Sequence, residues 1–173
     1  SHHGLSFLFP MNDLFEKYVA VVLLRKQLAE GYKLKEQAAS EFLVRHNKQD
    51  MFQLKPDLLI QDKKDKNKNL VVLDCKWKLI DEKDRENKYG ISQGDMYQLF
   101  AYGQKYLEGN GEMFLIYPES KTFNTPLPIF KFDTDKDKCL SLWVVPFKWQ
   151  AQSEDYIDMP SASIKYLTPI EFK

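Results

Sequence analysis

The sequence predicts an α/β domain, and three patterns of residue spacing indicate this class. An amphipathic helix is predicted from residue 7 to about residue 30, where Gly31 ends it. Two apolar runs of strand length follow at 55–60 and 70–76. A second helix is predicted over 90–106, because apolar residues recur there at helical spacing. A chain of 173 residues with 43% hydrophobic content can bury the core of one domain.

The first helix carries an acidic residue with two possible roles. Asn12 or Asp13 is predicted to cap its N-terminus, and Asp13 with Glu16 has the three-residue spacing of a capping box. Acidic side chains also favour the first turn of a helix. Glu16 could instead reach a metal site formed by the following strands, from the side opposite those strands. Both interpretations stay open at the level of the sequence.

The two strand segments carry three charged side chains at their ends. Asp57 lies at the start of the first segment, and Asp74 and Lys76 lie near the end of the second. Because alternate side chains of a strand share a face, Asp74 and Lys76 are predicted to point together, with Cys75 pointing into the opposite layer. If the segments pair as a hairpin through the turn-rich residues 62–69, Asp57 lies beside Asp74.

Two converging carboxylates and a lysine fit the PD-(D/E)-x-K pattern of metal-dependent sites that cleave phosphodiesters. Mg²⁺ prefers oxygen ligands and rarely takes an all-protein cage, so Asp57 and Asp74 are predicted to bind Mg²⁺, with Mn²⁺ as a substitute. Lys76 is predicted to position the attacking water or stabilise the developing anion. The plainer interpretation is a strand whose polar end reaches solvent, where the two charges form an ion pair of little energetic value.

The second helix has its own start signal and a polar pair. Ser92 with Asp95 three positions later resembles an N-terminal capping signal. Gln98 and Tyr102 lie four positions apart and are predicted to share one face of the helix. They could also be no more than the polar edge of an amphipathic helix, with Tyr102 half-buried.

Further strands complete the predicted domain. They are expected at 41–46 and 51–54, as a meander into the 55–60 strand, and at 112–117 and 139–147. Residues 7–173 are predicted to form a single nuclease domain, with a core over about 7–147 and a C-terminal extension over 148–173. Residues 1–6 are interpreted as the remnant of a tag or linker.

Charge and composition limit the functions that the chain can perform alone. Lysine plus arginine equals aspartate plus glutamate at 25 each, so the chain lacks the net positive charge expected of a protein that holds DNA by itself. No Gly-rich phosphate loop appears, which predicts that this chain binds no nucleotide. The two cysteines are predicted to be reduced. The longest apolar run, at 18–24, is too short for a bilayer, and no secretory signal is visible, which predicts a cytoplasmic protein without membrane contact.

Four segments in this order resemble the nuclease domain of the McrC family, the endonuclease subunits of McrBC-type, modification-dependent restriction systems. They are Phe-Pro-Met-Asn-Asp-Leu-Phe-Glu-Lys-Tyr-Val at 9–19, Lys-Pro-Asp-Leu-Leu-Ile at 55–60, Leu-Asp-Cys-Lys-Trp-Lys at 73–78 and Asp-Met-Tyr-Gln-Leu-Phe-Ala-Tyr at 95–102. The resemblance covers about residues 7–117. It implies a restriction-endonuclease-like core of the PD-(D/E)XK superfamily, with an αβββαβ order and a central mixed β-sheet flanked by helices.

The resemblance also implies roles for individual residues. Asp57 and Asp74 would be metal ligands, and the backbone carbonyl of Cys75 would be a further ligand. Glu16 is an additional candidate ligand. Lys76 would be the catalytic lysine of a Mg²⁺-dependent endonuclease that hydrolyses DNA to 5′-phosphate and 3′-hydroxyl ends.

The implied partners are DNA and a McrB-like, GTP-hydrolysing AAA+ protein. The AAA+ protein would recruit and activate the nuclease through an N-terminal region of the nuclease subunit. In family members this region precedes the nuclease domain, and it is absent from this chain. Gln98 and Tyr102 would orient the site or contact DNA. Because cleavage of both strands needs two sites, transient pairing of two chains is expected.

Two other function classes remain open. One is an exonuclease or repair nuclease of the RecB or CRISPR-adaptation type, which often carries an iron–sulfur cluster held by four cysteines. The chain has only two cysteines, which disfavours the cluster-containing form. The other is a non-catalytic interaction module on the same fold, and the intact set of Asp57, Asp74 and Lys76 argues against it.

Overall fold

A mixed sheet of seven strands forms the centre of the protein in the computed structural model, which describes residues 5–65, 68–133, 136–151, 153–160 and 165–168. In chain order the elements are α1 (Leu5–Val22), a π-helical turn (Leu23–Gln27), β1 (Tyr32–Glu36), β2 (Glu41–His46), β3 (Gln49–Leu54), β4 (Leu58–Asp62), β5 (Asn69–Cys75), a 3₁₀ turn (Lys88–Gly90), α2 (Gln93–Tyr106), β6 (Gly111–Pro118), β7 (Phe130–Phe132), β8 (Leu140–Lys148) and β9 (Tyr156–Ile157).

The strand order of the central sheet is β1-β4-β5-β6-β8-β7, with β9 paired to β8. Strand β4 is antiparallel to its two neighbours β1 and β5, whereas β5, β6 and β8 run parallel. The α/β class and the central mixed sheet are therefore confirmed. Elements α1, β1, β4, β5, α2 and β6 reproduce the expected αβββαβ order, with β2 and β3 inserted between the first two strands.

The strands of the sheet separate two hydrophobic cores. Leu73 and Cys75 of β5 point into the core on the α1 side, where Phe15 packs. Val72 of β5 points into the core on the α2 side, together with Leu99. Since side chains alternate along a strand, the even-numbered residues at the end of β5 face α2.

Helix α1 differs from its prediction at both ends. It includes Pro10 and extends upstream to Leu5, so Asn12 and Asp13 lie inside the helix and the prediction that either caps it is wrong. The Asn12 side chain instead binds the segment after β5, where its Oδ1 accepts a hydrogen bond from the Trp77 N–H at 2.9 Å. The helical path ends at Gln27 rather than near residue 30.

The predicted meander into β4 is wrong, although both of its strands exist. Strands β2 and β3 pair with each other in a separate two-stranded sheet whose side chains are mostly exposed. On the side away from β5, strand β4 pairs instead with β1, which the sequence analysis did not predict. Lys33 and Lys35 of β1 flank Leu34, which packs against the α1-side core, and such charged residues suit an edge strand.

Helix α2 begins where the capping signal predicts. Ser92 is the N-cap residue, and its Oγ accepts a hydrogen bond from the Asp95 N–H at 3.0 Å. The two strands predicted after this helix lie within two residues of their predicted ends, at Gly111–Pro118 and Leu140–Lys148, whereas the short strands β7 and β9 were not predicted. Among the described residues, no helix has both the length and the apolar character needed to cross a membrane.

Candidate active site

The β4–β5 hairpin brings the two predicted carboxylates together. Leu58 of β4 lies opposite Leu73 of β5, so Asp57, one residue earlier, comes opposite Asp74. Asp57 Oδ2 accepts a hydrogen bond from the Cys75 N–H at 2.8 Å, which holds the carboxylate across the strand ends. Asp74 is only 1% exposed. The two carboxylates therefore lie at the end of the hairpin that is distant from its turn.

The surroundings of this pair favour its protonated form. Burial, followed by the charge of Asp74, raises the pKa of Asp57 to about 9. Burial also raises the pKa of Asp74, against the opposing influence of Lys76 and of a hydrogen bond with Asp57. Two acids that share one site cannot both ionise easily. The pair is expected to retain a proton at neutral pH, which a bound cation would have to displace.

Lys76 lies beside the carboxylates. Its Nζ forms an ion pair with Asp74 Oδ2 and donates a hydrogen bond to Gln98 Oε1 at 3.3 Å. Burial lowers the pKa of Lys76, but the charge of Asp74 and its hydrogen bond, with the charges of Asp57 and Asp95, outweigh burial and raise it. The ammonium group therefore keeps its charge next to the acids.

Cys75 can contribute only through its backbone. Its side chain is fully buried in the α1-side core, on the opposite face of the sheet, as its position between Asp74 and Lys76 predicts. Burial raises the pKa of its thiol. The Cys75 N–H already binds Asp57, so the carbonyl oxygen is the group that remains a candidate metal ligand.

Glu16 approaches the pair from the α1 side through a residue that the sequence analysis missed. The Gln37 side-chain amide donates a hydrogen bond to Glu16 Oε1, and the Gln37 N–H donates one to the Asp57 carbonyl at 2.9 Å. The charge of Glu16 contributes to the raised pKa of Asp57. Gln37 has a positive φ of 47°, an uncommon conformation that carried no sequence signal. A metal-binding role for Glu16 stays a prediction.

Gln98 and Tyr102 share a face of α2, as their spacing predicts, but they contact different parts of the site. Gln98 is exposed and accepts the hydrogen bond from Lys76. Tyr102 is buried, and its hydroxyl donates to the Lys55 carbonyl at 3.0 Å, two residues before Asp57. These contacts suit site-orienting roles, which stay predictions.

Two buried oxygen atoms in this region lack a hydrogen-bond partner among the described residues: Asp74 Oδ2 and the Tyr117 hydroxyl. Asp74 Oδ2 nevertheless has the Lys76 ammonium as its ion-pair partner, whereas the Tyr117 hydroxyl has no hydrogen bond within the described part of the chain. An unsatisfied buried polar group costs on the order of 1–3 kcal/mol. Such an atom in a native fold usually has an additional partner, such as a water molecule or an ion.

The donor set suits a hard cation held partly by solvent. Within the described ranges, no group of three or more histidine, cysteine, aspartate or glutamate side chains is arranged to hold a metal ion. Mg²⁺ commonly binds one or two carboxylates and keeps several waters, so Asp57, Asp74 and the Cys75 carbonyl fit this ion. Asp74 Oδ2 contacts the Lys76 ammonium, so a cation bound there would share this oxygen with Lys76.

Comparisons with known proteins agree with the resemblance in the sequence. A family model described as McrBC 5-methylcytosine restriction system component matches residues 1–118. No curated protein matches the chain. A similar fold, with a TM-score of 0.51 and 20% identity, occurs in the refined half-complex from the tetradecameric assembly of Thermococcus gammatolerans McrB AAA+ hexamers with bound McrC. That similarity covers 79% of this chain and 28% of the other chain. Since the family match includes more than half of its residues, the chain belongs to the family of McrBC 5-methylcytosine restriction system components.

Proposed function

We propose that this chain is the cleavage domain of an McrBC-type restriction system and hydrolyses DNA phosphodiester bonds in a Mg²⁺-dependent reaction. The observation that supports this function most directly is the placement of Asp57 opposite Asp74, with the charged Lys76 beside them. A purely structural ion pair needs only one of the two acids. Two partly or fully buried carboxylates that repel each other fit a cation site much better.

The residues divide the work in the proposed reaction. Asp57 and Asp74 hold the cation, and the Cys75 carbonyl offers a third oxygen. When bound, the metal supplies a lowered pKa for a coordinated water and offsets charge on the attacked phosphate. Lys76 orients the attacking water or stabilises the developing anion, and Gln98 limits the positions that the Lys76 side chain can occupy.

The proposed partners are DNA and an AAA+ protein that hydrolyses GTP and delivers this domain to its target. Family membership supports this partner, and the related assembly from Thermococcus gammatolerans contains AAA+ hexamers. The zero formal net charge of the chain supports delivery by a partner, because a neutral protein attracts DNA only weakly.

Titration calorimetry with Mg²⁺ and Mn²⁺, followed by plasmid nicking with the same samples, tests the proposal. We expect the wild-type chain to bind the cation and the Asp74→Ala variant to lose both binding and nicking. Asp62→Asn is the matched control, since Asp62 caps a turn at the other end of β4 and should leave both properties unchanged. Failure of the wild-type chain to bind either cation would refute the metal-dependent function and favour an interaction module.

A further inference from the structure

Tyr117 of β6 is fully buried, yet its hydroxyl makes no hydrogen bond within the described part of the chain. Its ring packs edge-on against Phe123, with 6.3 Å between ring centroids, so the hydrophobic core on the α2 side holds the ring. The hydroxyl is therefore fixed in place without a hydrogen-bond partner among the described residues. Such an atom indicates a group that completes its hydrogen bonding.

The register of the sheet places Tyr117 next to the candidate active site. Asp74 pairs with Leu115 and Cys75 with Ile116 in the parallel β5–β6 ladder. The Lys76 N–H continues this ladder by donating to the Ile116 carbonyl at 2.9 Å. Tyr117 is thus the cross-strand neighbour of Lys76, and both side chains point to the α2 side of the sheet.

Asp95, in the first turn of α2, lies near the same side chains. Its charge acts on Asp74, on Lys76 and on the Tyr117 hydroxyl. Burial, followed by the charges of Asp95 and Asp74, raises the pKa of Tyr117, which keeps the hydroxyl protonated and able to donate. Tyr117, Asp95 and Asp74 therefore form one cluster between β5, β6 and the start of α2.

A single water molecule could complete the hydrogen bonding of two atoms in this cluster. The Tyr117 hydroxyl needs an acceptor, and Asp74 Oδ2, which the Lys76 ammonium contacts, can accept from a further donor. A water can accept from the first, donate to the second and use its other hydrogen for the Asp95 carboxylate. Buried waters typically make about three hydrogen bonds of this kind.

We propose that Tyr117 is a positioning residue of the candidate metal site, whose hydroxyl holds a water molecule that also binds Asp74 and Asp95 and so orients the Asp74 carboxylate toward the cation. This inference rests on the proposed function for the presence of the cation. Outer partners of metal ligands commonly change metal affinity about 10- to 100-fold when they are removed.

The Tyr117→Phe variant removes only the hydroxyl. We expect Mn²⁺ to bind about 10-fold more weakly to this variant in titration calorimetry. Tyr106→Phe is the matched control, because the Tyr106 hydroxyl donates to the Leu54 carbonyl at 2.7 Å. This control should lower the melting temperature of the metal-free protein and leave Mn²⁺ affinity unchanged. Tyr117→Phe should lower the melting temperature less than the control does, since the Tyr117 hydroxyl bonds no group in the described part of the chain.

A double-mutant cycle with Asp95→Asn tests the shared water. If both side chains act through it, the double variant should bind Mn²⁺ no more weakly than the weaker single variant. Unchanged affinity in Tyr117→Phe would overturn this inference and leave the proposed function intact. A loss of metal-free stability as large as that of Tyr106→Phe would also overturn it. An absence of Mn²⁺ binding to the wild-type chain would overturn both proposals.

Discussion

The raised pKa of Asp57 makes the stability of the metal-free protein depend on pH. Burial, followed by the charge of Asp74, raises this pKa from 3.8 to about 9. Below pH 3.8, Asp57 keeps its proton in both the folded and the unfolded chain, and the stabilising contribution of the protonated side chain is fully present. As the pH rises toward about 9, only the folded chain keeps the proton on Asp57. The unfolded chain is then favoured by ionisation of this residue, so the stabilising contribution is lost. We expect the free energy of unfolding to fall by at most about 1.4 kcal/mol per pH unit across this window.

Denaturant unfolding in the presence of a chelator, from about pH 5 to about pH 9, measures this effect. The Asp57→Asn variant is the reference, because its side chain cannot ionise. The stability of the wild-type protein relative to this variant should decrease steadily as the pH rises. Parallel curves would show that Asp57 ionises in the folded protein as it does in the unfolded chain.

Lys76 offers a way to separate catalysis from metal binding. Its ammonium contacts Asp74 and repels a metal ion at that carboxylate. The Lys76→Met variant should therefore bind Mn²⁺ as tightly as the wild-type chain or more tightly. Cleavage should fall about 10²- to 10³-fold, because a positive group near the developing charge is lost. Lys131→Met, on the exposed side of β7, should change neither property. Loss of metal binding in Lys76→Met would instead assign Lys76 to assembly of the site.

At the scale of elements, α2 packs on the sheet at Gly103. An added methyl group there would lie 2.6 and 2.8 Å from the two Leu140 methyl carbons and 3.0 Å from Met113 Sδ. Both neighbours are fully buried and have little room to move. Gly103→Ala should therefore lower the free energy of unfolding by about 1–3 kcal/mol, measured with denaturant.

Gly94 of the same helix provides the control for this substitution. A methyl group at this exposed position would meet only Ser92 Oγ, at 3.9 Å. Gly94→Ala should raise stability by about 0.4–1 kcal/mol, because alanine restricts the unfolded chain. A stabilising Gly103→Ala would contradict the close approach of α2 to β6 and β8.

The elements that the sequence predicted correctly have local signals. The β4–β5 hairpin follows from a turn-rich segment between two apolar runs, and its register then places Asp57 beside Asp74. The start of α2 follows from the Ser92 hydroxyl and the Asp95 N–H, three positions apart. Both signals depend on residues that are close along the chain, which is why spacing alone was sufficient.

The features that the sequence analysis missed depend on distant contacts. Strand β1 is defined by its pairing with β4 across the inserted β2–β3 hairpin, and hydrophobic alternation cannot choose between such partners. Gln37 acquires its role from a positive φ and from two partners on other elements. Asn12 was predicted to cap α1 because asparagine is common at helix N-caps. Its side chain instead accepts a hydrogen bond from the distant Trp77 N–H.

At the scale of the whole molecule, Gln27 joins the first helix to the C-terminal part of the chain. Its Nε2 donates to the Ile157 carbonyl and its Oε1 accepts from the Ile157 N–H, each at 2.8 Å. The Gln27 carbonyl accepts from the Thr168 N–H at 2.7 Å. Gln27→Ala would leave two buried groups of Ile157 unpaired, so stability should fall by about 2–4 kcal/mol.

Limited proteolysis of the same variant, alongside denaturant unfolding, shows where the loss occurs. Cleavage near β9 should become faster in Gln27→Ala. The control is Gln93→Ala, whose side chain donates to the exposed Tyr97 hydroxyl, and this variant should behave as the wild-type chain does. Equal stability of Gln27→Ala and the wild-type chain would mean that water replaces both hydrogen bonds of Ile157.

The net charge of the chain predicts weak binding to DNA in the absence of a partner protein. Lysine and arginine are balanced by acids at 25 each, so the chain has no net charge that would attract DNA. We expect a dissociation constant of about 10⁻⁴–10⁻⁶ M for duplex DNA at physiological salt, measured by fluorescence anisotropy with Ca²⁺ present to prevent cleavage. Affinity should increase at lower salt, because phosphate contacts release counterions. Nanomolar affinity of the isolated chain would show that a local basic surface is sufficient, and delivery by an AAA+ partner would no longer be needed to explain DNA binding.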